Sequence, residues 1–472
     1  MMRKLFALFT GVLLASLPAG CALEQMKDEG VGATAYHQDY AEPHPADINP
    51  DEAQRTESEP IGAAVYQLGY ADPRTVGMNP DDLEKIDAIV EEAIREGATP
   101  GAVVMVLKDG KIVFDRAYGH HAYDQAVPTQ SSDIFDLASV TKIFATTIAA
   151  MRLADQGKLD LDATVGTYLS ELKSSHPDKA AIRVRDLLTH RAGLIPYIPF
   201  FLKVKEGDYS TDASARYPIK VADHFYLGRG YYNEVMWKQM MDSPLKTQGK
   251  YAYSDISMYV MKGILERIAQ QPLDVYVDEQ FYKPLGACSM GFCPLDRFAE
   301  ERIVPTEDDT YFRNQLLKGY VQDPGAAMAG GVSGHAGLFA TAYDLAILSQ
   351  MLLNGGSYNG RQYIRPETVK KFSSRQTDGS RRGLGFDCWD PESKEGYPCQ
   401  LASPETFGHT GYTGTCVWID PENRLIYIFL SNRLYPAQDK NKLLKLNIRP
   451  RIHDVIYEAM RTGPGRATAA YQ

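Results

Sequence analysis

The chain has 472 residues with Lys+Arg 50 against Asp+Glu 60, a formal charge of −10 that argues against a nucleic-acid partner, which would need a basic face. Its 44% hydrophobic and 23% charged residues are a globular composition, which excludes wholesale disorder and fibrous architectures. The first predicted element is an apolar run, 5–17, behind Arg3 and Lys4; it is too short to span a bilayer comfortably and reads as a signal peptide over 1–21.

That run ends in Leu17-Pro18-Ala19-Gly20-Cys21, which resembles the lipobox of bacterial lipoproteins apart from Pro18. The resemblance implies cleavage before Cys21, lipidation of Cys21 and, with Ala22 next, outer-membrane sorting in a two-membrane bacterium; plain signal cleavage is the alternative. The expected location is the periplasm or cell envelope. Residues 22–79 have acidic, Pro-rich tether composition. Within them Tyr36, Tyr40, Ala41, Pro43, Asn49, Pro50 and Asp51 recur thirty positions later as Tyr66, Tyr70, Ala71, Pro73, Asn79, Pro80 and Asp81, a duplicated entry segment read as spacer.

Asn79 as N-cap and Pro80 in the first turn open a helix with Leu83, Ile86, Ile89, Val90, Ala93 and Ile94 at helical spacing. Strands 102–108 and 111–118 follow, joined by Asp109-Gly110, the dipeptide of a type I′ hairpin. Residues 408–420 and 424–432 read as further strands and 449–461 as a closing helix, with 462–472 a tail. Sheet material thus sits at both chain ends, and the middle is dominated by helical patterns. The expected fold class is α+β: a hydrolase domain over 80–461 with an antiparallel sheet lobe (about 80–135 and 324–461) packed by terminal helices and an inserted, mainly helical lobe (about 136–323). Within that lobe, 196–250 is unusually aromatic, as core filling or as the roof of a cleft.

The chemistry-bearing residues fall in three places. Ser139-Val140-Thr141-Lys142 opens a helix, and residues three apart are neighbours, so an amine lies beside a hydroxyl that needs a base to become a nucleophile. Tyr253-Ser254-Asp255 precedes a second helical pattern, and Gly408-His409-Thr410-Gly411-Tyr412 begins a strand whose glycines permit close backbone approach. No H-E-x-x-H or zinc spacing occurs, so neither a metal nor another cofactor is expected. Cysteines 288 with 293, and 388 with 399, are spaced for local pairs, with buried thiols the equal alternative; Cys416 reads as a small buried residue.

Taken in order, S-x-x-K, Y-S-D and H-T-G resemble the penicillin-recognising serine hydrolases, which include class C β-lactamases and serine D-Ala-D-Ala carboxypeptidases. The segments 184–194 (V-R-D-L-L-T-H-R-A-G-L), 330–339 (G-G-V-S-G-H-A-G-L-F) and 383–386 (G-L-G-F) add to the resemblance, which is stronger to type-4B penicillin-binding proteins. It implies a β-lactamase-like fold and an acyl-enzyme on Ser139. Lys142 and Tyr253 would share the base role, and the Ser139 and Tyr412 amides would form the oxyanion hole. Asp255, His409, Thr410, Gly411, Tyr412 and His335 would contact a peptidoglycan stem peptide, a β-lactam or an ester.

Two departures modify this. Asp255 stands where the family often has Asn; a carboxylate favours charged Lys142 and shifts the base role towards Tyr253. His409 replaces the strand lysine and is expected to give donors but only partial positive charge, so carboxylate recognition should weaken. His190 reads as structural. The alternatives are an esterase on small acyl esters and an inactive envelope scaffold.

Overall fold

The computed structural model describes residues 68–464 except 247, 439 and 440. The signal peptide, Cys21, the first copy of the duplicated segment and most of the tail lie outside the described residues. Chain entry comes earlier than the tether boundary at 79: β1 (Gly69–Tyr70) adds a parallel strand to the edge of the sheet. Asn79 caps as expected, its Oδ1 accepting from the Asp81 amide at 3.1 Å, and the chain runs through one turn into α1 (Lys85–Arg95).

The Asp109-Gly110 turn takes φ of +53° and +76°, the left-handed pair a type I′ turn requires, and joins β2 (Gly101–Lys108) to β3 (Lys111–Gly119). The remaining strands come from the far end: β4 (Asp387–Cys388), β5 (Phe407–Thr410), β6 (Cys416–Asp420) and β7 (Leu425–Ser431). They form a seven-stranded sheet in the order β1-β3-β2-β7-β6-β5-β4, antiparallel except for the β1–β3 pair. The single strand expected over 408–420 is therefore two, in a hairpin that pairs Thr410 with Cys416. The reason is Gly411 and Gly414: the Gly411 amide bonds the Thr415 carbonyl at 2.7 Å, and Gly414 turns the chain at φ +102°.

Almost every residue of β2 and β7 is buried, because both faces of the sheet are covered. On one face Val104, Val106, Tyr427 and Phe429 pack against Ile86 and Val90 of α1 and Ile452 and Ile456 of the closing helix. On the other, Met105, Leu107, Ile426 and Ile428 join Leu345 and Leu348 of the helix Ala342–Leu353 and, through them, the inserted helical lobe. The aromatic stretch of that lobe does both things proposed for it. Phe200 is buried in the core, whereas Tyr197 and Phe201 line a cleft; residues 209–227 form a small three-stranded sheet. Cys293, Cys388, Cys399 and Cys416 are thiols, so neither local disulfide forms.

Candidate active site

The segment before Ser139 is pinned from three sides. Phe135–Asp136 pairs antiparallel with Phe339–Ala340. The buried Asp136 carboxylate accepts from the Ala138 amide (2.8 Å) and the Gln322 amide (2.7 Å), with burial pushing its carboxyl up to about 6. From the β5–β6 turn, the Thr413 and Thr415 hydroxyls donate to the carbonyls of Asp136 and Leu137 (2.8 and 3.0 Å). A Cβ at Gly411 would sit 2.5 Å from the Leu137 carbonyl oxygen, so glycine is required for this approach. Ala138 is held at φ +45°, a strained non-glycine conformation directly before the serine. The helix then begins with a π-type turn over Lys142–Thr147 before regular α-helix at Ile148–Asp155. Such widened turns concentrate at functional sites.

These constraints set the reacting groups. Lys142 Nζ lies 2.7 Å from Ser139 Oγ, and the Tyr253 hydroxyl, 114 residues on, lies 3.1 Å from the same oxygen. Lys142 is fully buried, donates to the His335 carbonyl at 3.2 Å and meets Asp255 Oδ1 at 2.8 Å. Burial would lower its pKa, but the Asp255 carboxylate and the Tyr253 phenol together outweigh that and hold it above the ordinary lysine value. Burial pushes Tyr253 up as well, offset in part by Lys142. The resting site is therefore an ammonium, a phenol and a serine hydroxyl. Ser254 caps the helix Asp255–Ala269, its Oγ accepting from the Ser257 amide (3.4 Å) and donating to the Ile195 carbonyl (2.7 Å); this fixes Tyr253 at the loop-to-helix junction.

Other expected residues are placed differently. His335 lines the cleft, but its ring nitrogens face Asp323 (2.9 Å) and Ser333 (2.9 Å). His409 is the main correction. It is buried, its Nδ1–H donates to the Thr410 carbonyl (2.7 Å), and its Nε2 faces Arg382 Nη1 at 3.4 Å. Burial lowers its pKa to about 3, so it is neutral, and it offers the cleft neither a donor nor partial charge. Thr410 and Gly411 set backbone position and do not line the cleft; Tyr412 does. The Ser139 amide stands in the first helical turn, where an N–H has no intrahelical acceptor. Ser139 and Tyr412, whose amides the family resemblance pairs as the oxyanion site, both line the cleft.

Arg382, Asp387 and Tyr251 were not anticipated. Arg382 and Asp387 pair at 3.0 Å behind His409, and Tyr251 receives Arg382 Nη2 at 2.8 Å. The available signal was Arg381-Arg382 running straight into the apolar segment 383–386: a cation buried by its neighbours needs a carboxylate. His190 is structural, as expected, and also lies against the site. Its Nδ1 accepts from the Ser254 amide (3.1 Å) and its ring packs on Tyr253 with centroids 4.5 Å apart.

Ser139 opens onto a cleft of about 720 Å³ walled by Tyr197, Phe201, Tyr311, Tyr412, Asp308 and Gln438. Residues 86–448 match the Beta-lactamase family. The chain belongs to that family. It is a serine hydrolase of the β-lactamase-like fold. It is 34% identical over 371 residues to a protein of Escherichia coli O157:H7 named putative D-alanyl-D-alanine carboxypeptidase, covering 73% of this chain and 81% of the relative. It is also 34% identical over 375 residues to a Bacillus subtilis protein named N-acetylmuramyl-L-alanine amidase, covering 74% and 80%. Among solved structures, a penicillin-binding protein homologue from Caulobacter crescentus superposes with a TM-score of 0.58 at 21% identity, over 80% of this chain and 99% of that one. The expected fold class and family are therefore those found.

Proposed function

We propose that this serine hydrolase acylates Ser139 with peptidoglycan stem peptides ending in D-alanine, and that β-lactams are acylating analogues. The observation that carries the reading is the convergence of Lys142 Nζ and Tyr253 OH on Ser139 Oγ at the mouth of one cleft. The names of the two relatives, a carboxypeptidase and a muramyl-alanine amidase, support a cell-wall peptide as the substrate.

In this mechanism Tyr253, once deprotonated, takes the Ser139 hydroxyl proton while Oγ bonds to the substrate carbonyl carbon. The carbonyl π pair moves to oxygen, where the Ser139 and Tyr412 amides bind it. Collapse breaks the scissile C–N bond, and the leaving amine takes the proton back from Tyr253. Water then releases the acyl group. Lys142 remains an ammonium, neutralised by Asp255, and stabilises the phenolate. The proposed location is the cell envelope with a lipid on Cys21, resting on the lipobox-like 17–21; palmitate labelling abolished by Cys21→Ser tests that part.

Intact mass after exposure to benzylpenicillin, a D-Ala-D-Ala peptide and a p-nitrophenyl ester tests the central reading. Wild type should gain the penicilloyl mass and Ser139→Ala should not. Labelling by the ester alone would favour the esterase reading, which the aromatic walls of the cleft support, and labelling by none would favour a scaffold.

A further inference from the structure

The strand position where a lysine would place a cation beside the site holds neutral His409, yet the site is not without a second positive charge. Arg382 lies behind Tyr253 with its guanidinium carbon 5.1 Å from the phenol ring centroid, while Lys142 Nζ is 5.0 Å from the same centroid. Arg382 is buried and its donors are committed: Nε to Asp387 (3.0 Å) and Tyr251 (3.2 Å), Nη1 to His409, Nη2 to Tyr251. It does not line the cleft, so it is not placed to bind substrate. Asp387 does not cancel it, because the same carboxylate also takes Arg381 Nε at 3.1 Å. Two guanidiniums against one carboxylate leave this triad with one net positive charge.

We propose that Arg382 is a positioning residue: fixed by Asp387, Tyr251 and His409, it holds a positive charge behind Tyr253 that eases the phenol's loss of its proton and so makes Tyr253 competent as the base for Ser139. The inference rests on the acyl-enzyme reading for its catalytic consequence, but the effect on Tyr253 does not. The groups facing Tyr253 are Ser139 and Lys142 from the nucleophile helix, Asp255 from its own helix, His190 and Tyr251 from the flanking loops, His409 from β5, and Arg382. Asp255 opposes ionisation, His190 and His409 are neutral, and Lys142 and Arg382 favour it. Tyr253 is thus served by two cations from separate parts of the chain, and only one belongs to the S-x-x-K motif.

The test is a titration of Tyr253 in protein labelled with 3-fluorotyrosine, the resonance assigned by its loss in Tyr253→Phe, with acylation by a p-nitrophenyl ester followed over the same pH range. Arg382→Met should move the Tyr253 midpoint and the rise of acylation up by about one pH unit. KM should change little, and activity should recover at high pH. Arg382→Lys keeps the charge and should restore most of the shift, though its point charge cannot reproduce the fork. Arg381→Met, at a partly exposed side chain, should leave the triad neutral and shift the midpoint in the same direction by a smaller amount. An unmoved midpoint in Arg381→Met and Arg382→Met, equal shifts in the Met and Lys variants, or a loss of rate that alkali does not restore would each overturn the proposal. Wild type that no acylating probe labels overturns the functional reading instead, and the fluorine titration still decides the role of Arg382.

Discussion

Two buried cations in this molecule have carboxylate partners and opposite purposes. Arg313 and Asp309 are wholly enclosed: Arg313 Nε meets Asp309 at 2.6 Å, its two terminal nitrogens donate to the Val321 and Gln322 carbonyls at 2.7 Å each, and Asp309 also accepts from three backbone amides. The polar capacity of that pair is spent inside the fold. Lys142 and Asp255 are left open. The lysine aims donors at Ser139 Oγ and the His335 carbonyl, while Asp255 lines the cleft. A closed pair ties the loop 307–323 that walls the cleft; an open pair keeps charge available to a reacting oxygen.

The comparison is broken most sharply by substitution at the open site. Ser139→Ala should lower turnover on the order of 10⁶, with the thermal midpoint little changed, because residues acting as a unit fail together. Lys142→Met should be similarly damaging to acylation yet cost less stability than removal of Arg313, since the Asp255 side chain keeps 21% of its surface exposed to the cleft. Denaturant unfolding beside an acylation assay checks both; a Lys142→Met protein that unfolds readily would make the open pair structural after all. Arg313→Met should do the reverse, costing about 3–5 kcal/mol because it strands a carboxylate with no route to water. Any loss of activity there should follow unfolding.

Much of this contrast was legible in the sequence, for physical reasons that differ by element. Asp109-Gly110 and the N-cap Asn79 act through local backbone chemistry and needed no partner to be recognised. Ser139 and Lys142 are neighbours by helical periodicity, and Asp255 announced an ion pair because a buried amine beside a carboxylate keeps its charge. His409 was misjudged because its role depends on Arg382, 27 residues away in sequence and brought alongside by the β4–β5 pairing. The hairpin break at Gly411 was missed for a related reason. The glycines at 408 and 411 read as permitting close approach within one strand, and only the contact with Leu137 shows why the chain must turn there.

The open pair also makes a pH prediction. Tyr253 is held above its ordinary value, chiefly by burial, and Lys142 above its own through Asp255, so at neutral pH the phenol keeps its proton and the ammonium is charged. The competent phenolate fraction then grows about tenfold per pH unit, and the acylation rate should climb with that slope from about pH 7 to 9. The linkage has the opposite sign for stability. A tyrosine raised by folding favours the native state below its unfolded pKa, and that contribution is lost as pH rises through the folded value. Rate and stability should therefore diverge at high pH, and a flat rate profile would place the base elsewhere.

The smallest effect concerns substrate charge. The cleft walls carry Asp255, Glu307, Asp308 and Asp323, and among the described lining residues there is no Lys or Arg. Asp255 is matched by Lys142, Asp323 is in hydrogen-bond contact with His335 at 2.9 Å, and Glu307 is pushed up by burial although Gln322 donates to it at 2.7 Å; Asp308 is exposed at the mouth. A carboxylate-bearing ester should consequently show a kcat/KM several-fold below its neutral analogue at low salt, a gap that narrows as the Debye length falls to about 8 Å at physiological ionic strength. Asp308→Asn should narrow it further, because it removes an acidic wall residue without touching the reacting groups. If the carboxylate-bearing substrate is instead preferred at every ionic strength, the net charge of the Arg381–Asp387–Arg382 triad reaches the cleft more strongly than these walls do. The cation expected from the strand motif would then act through the back of the site.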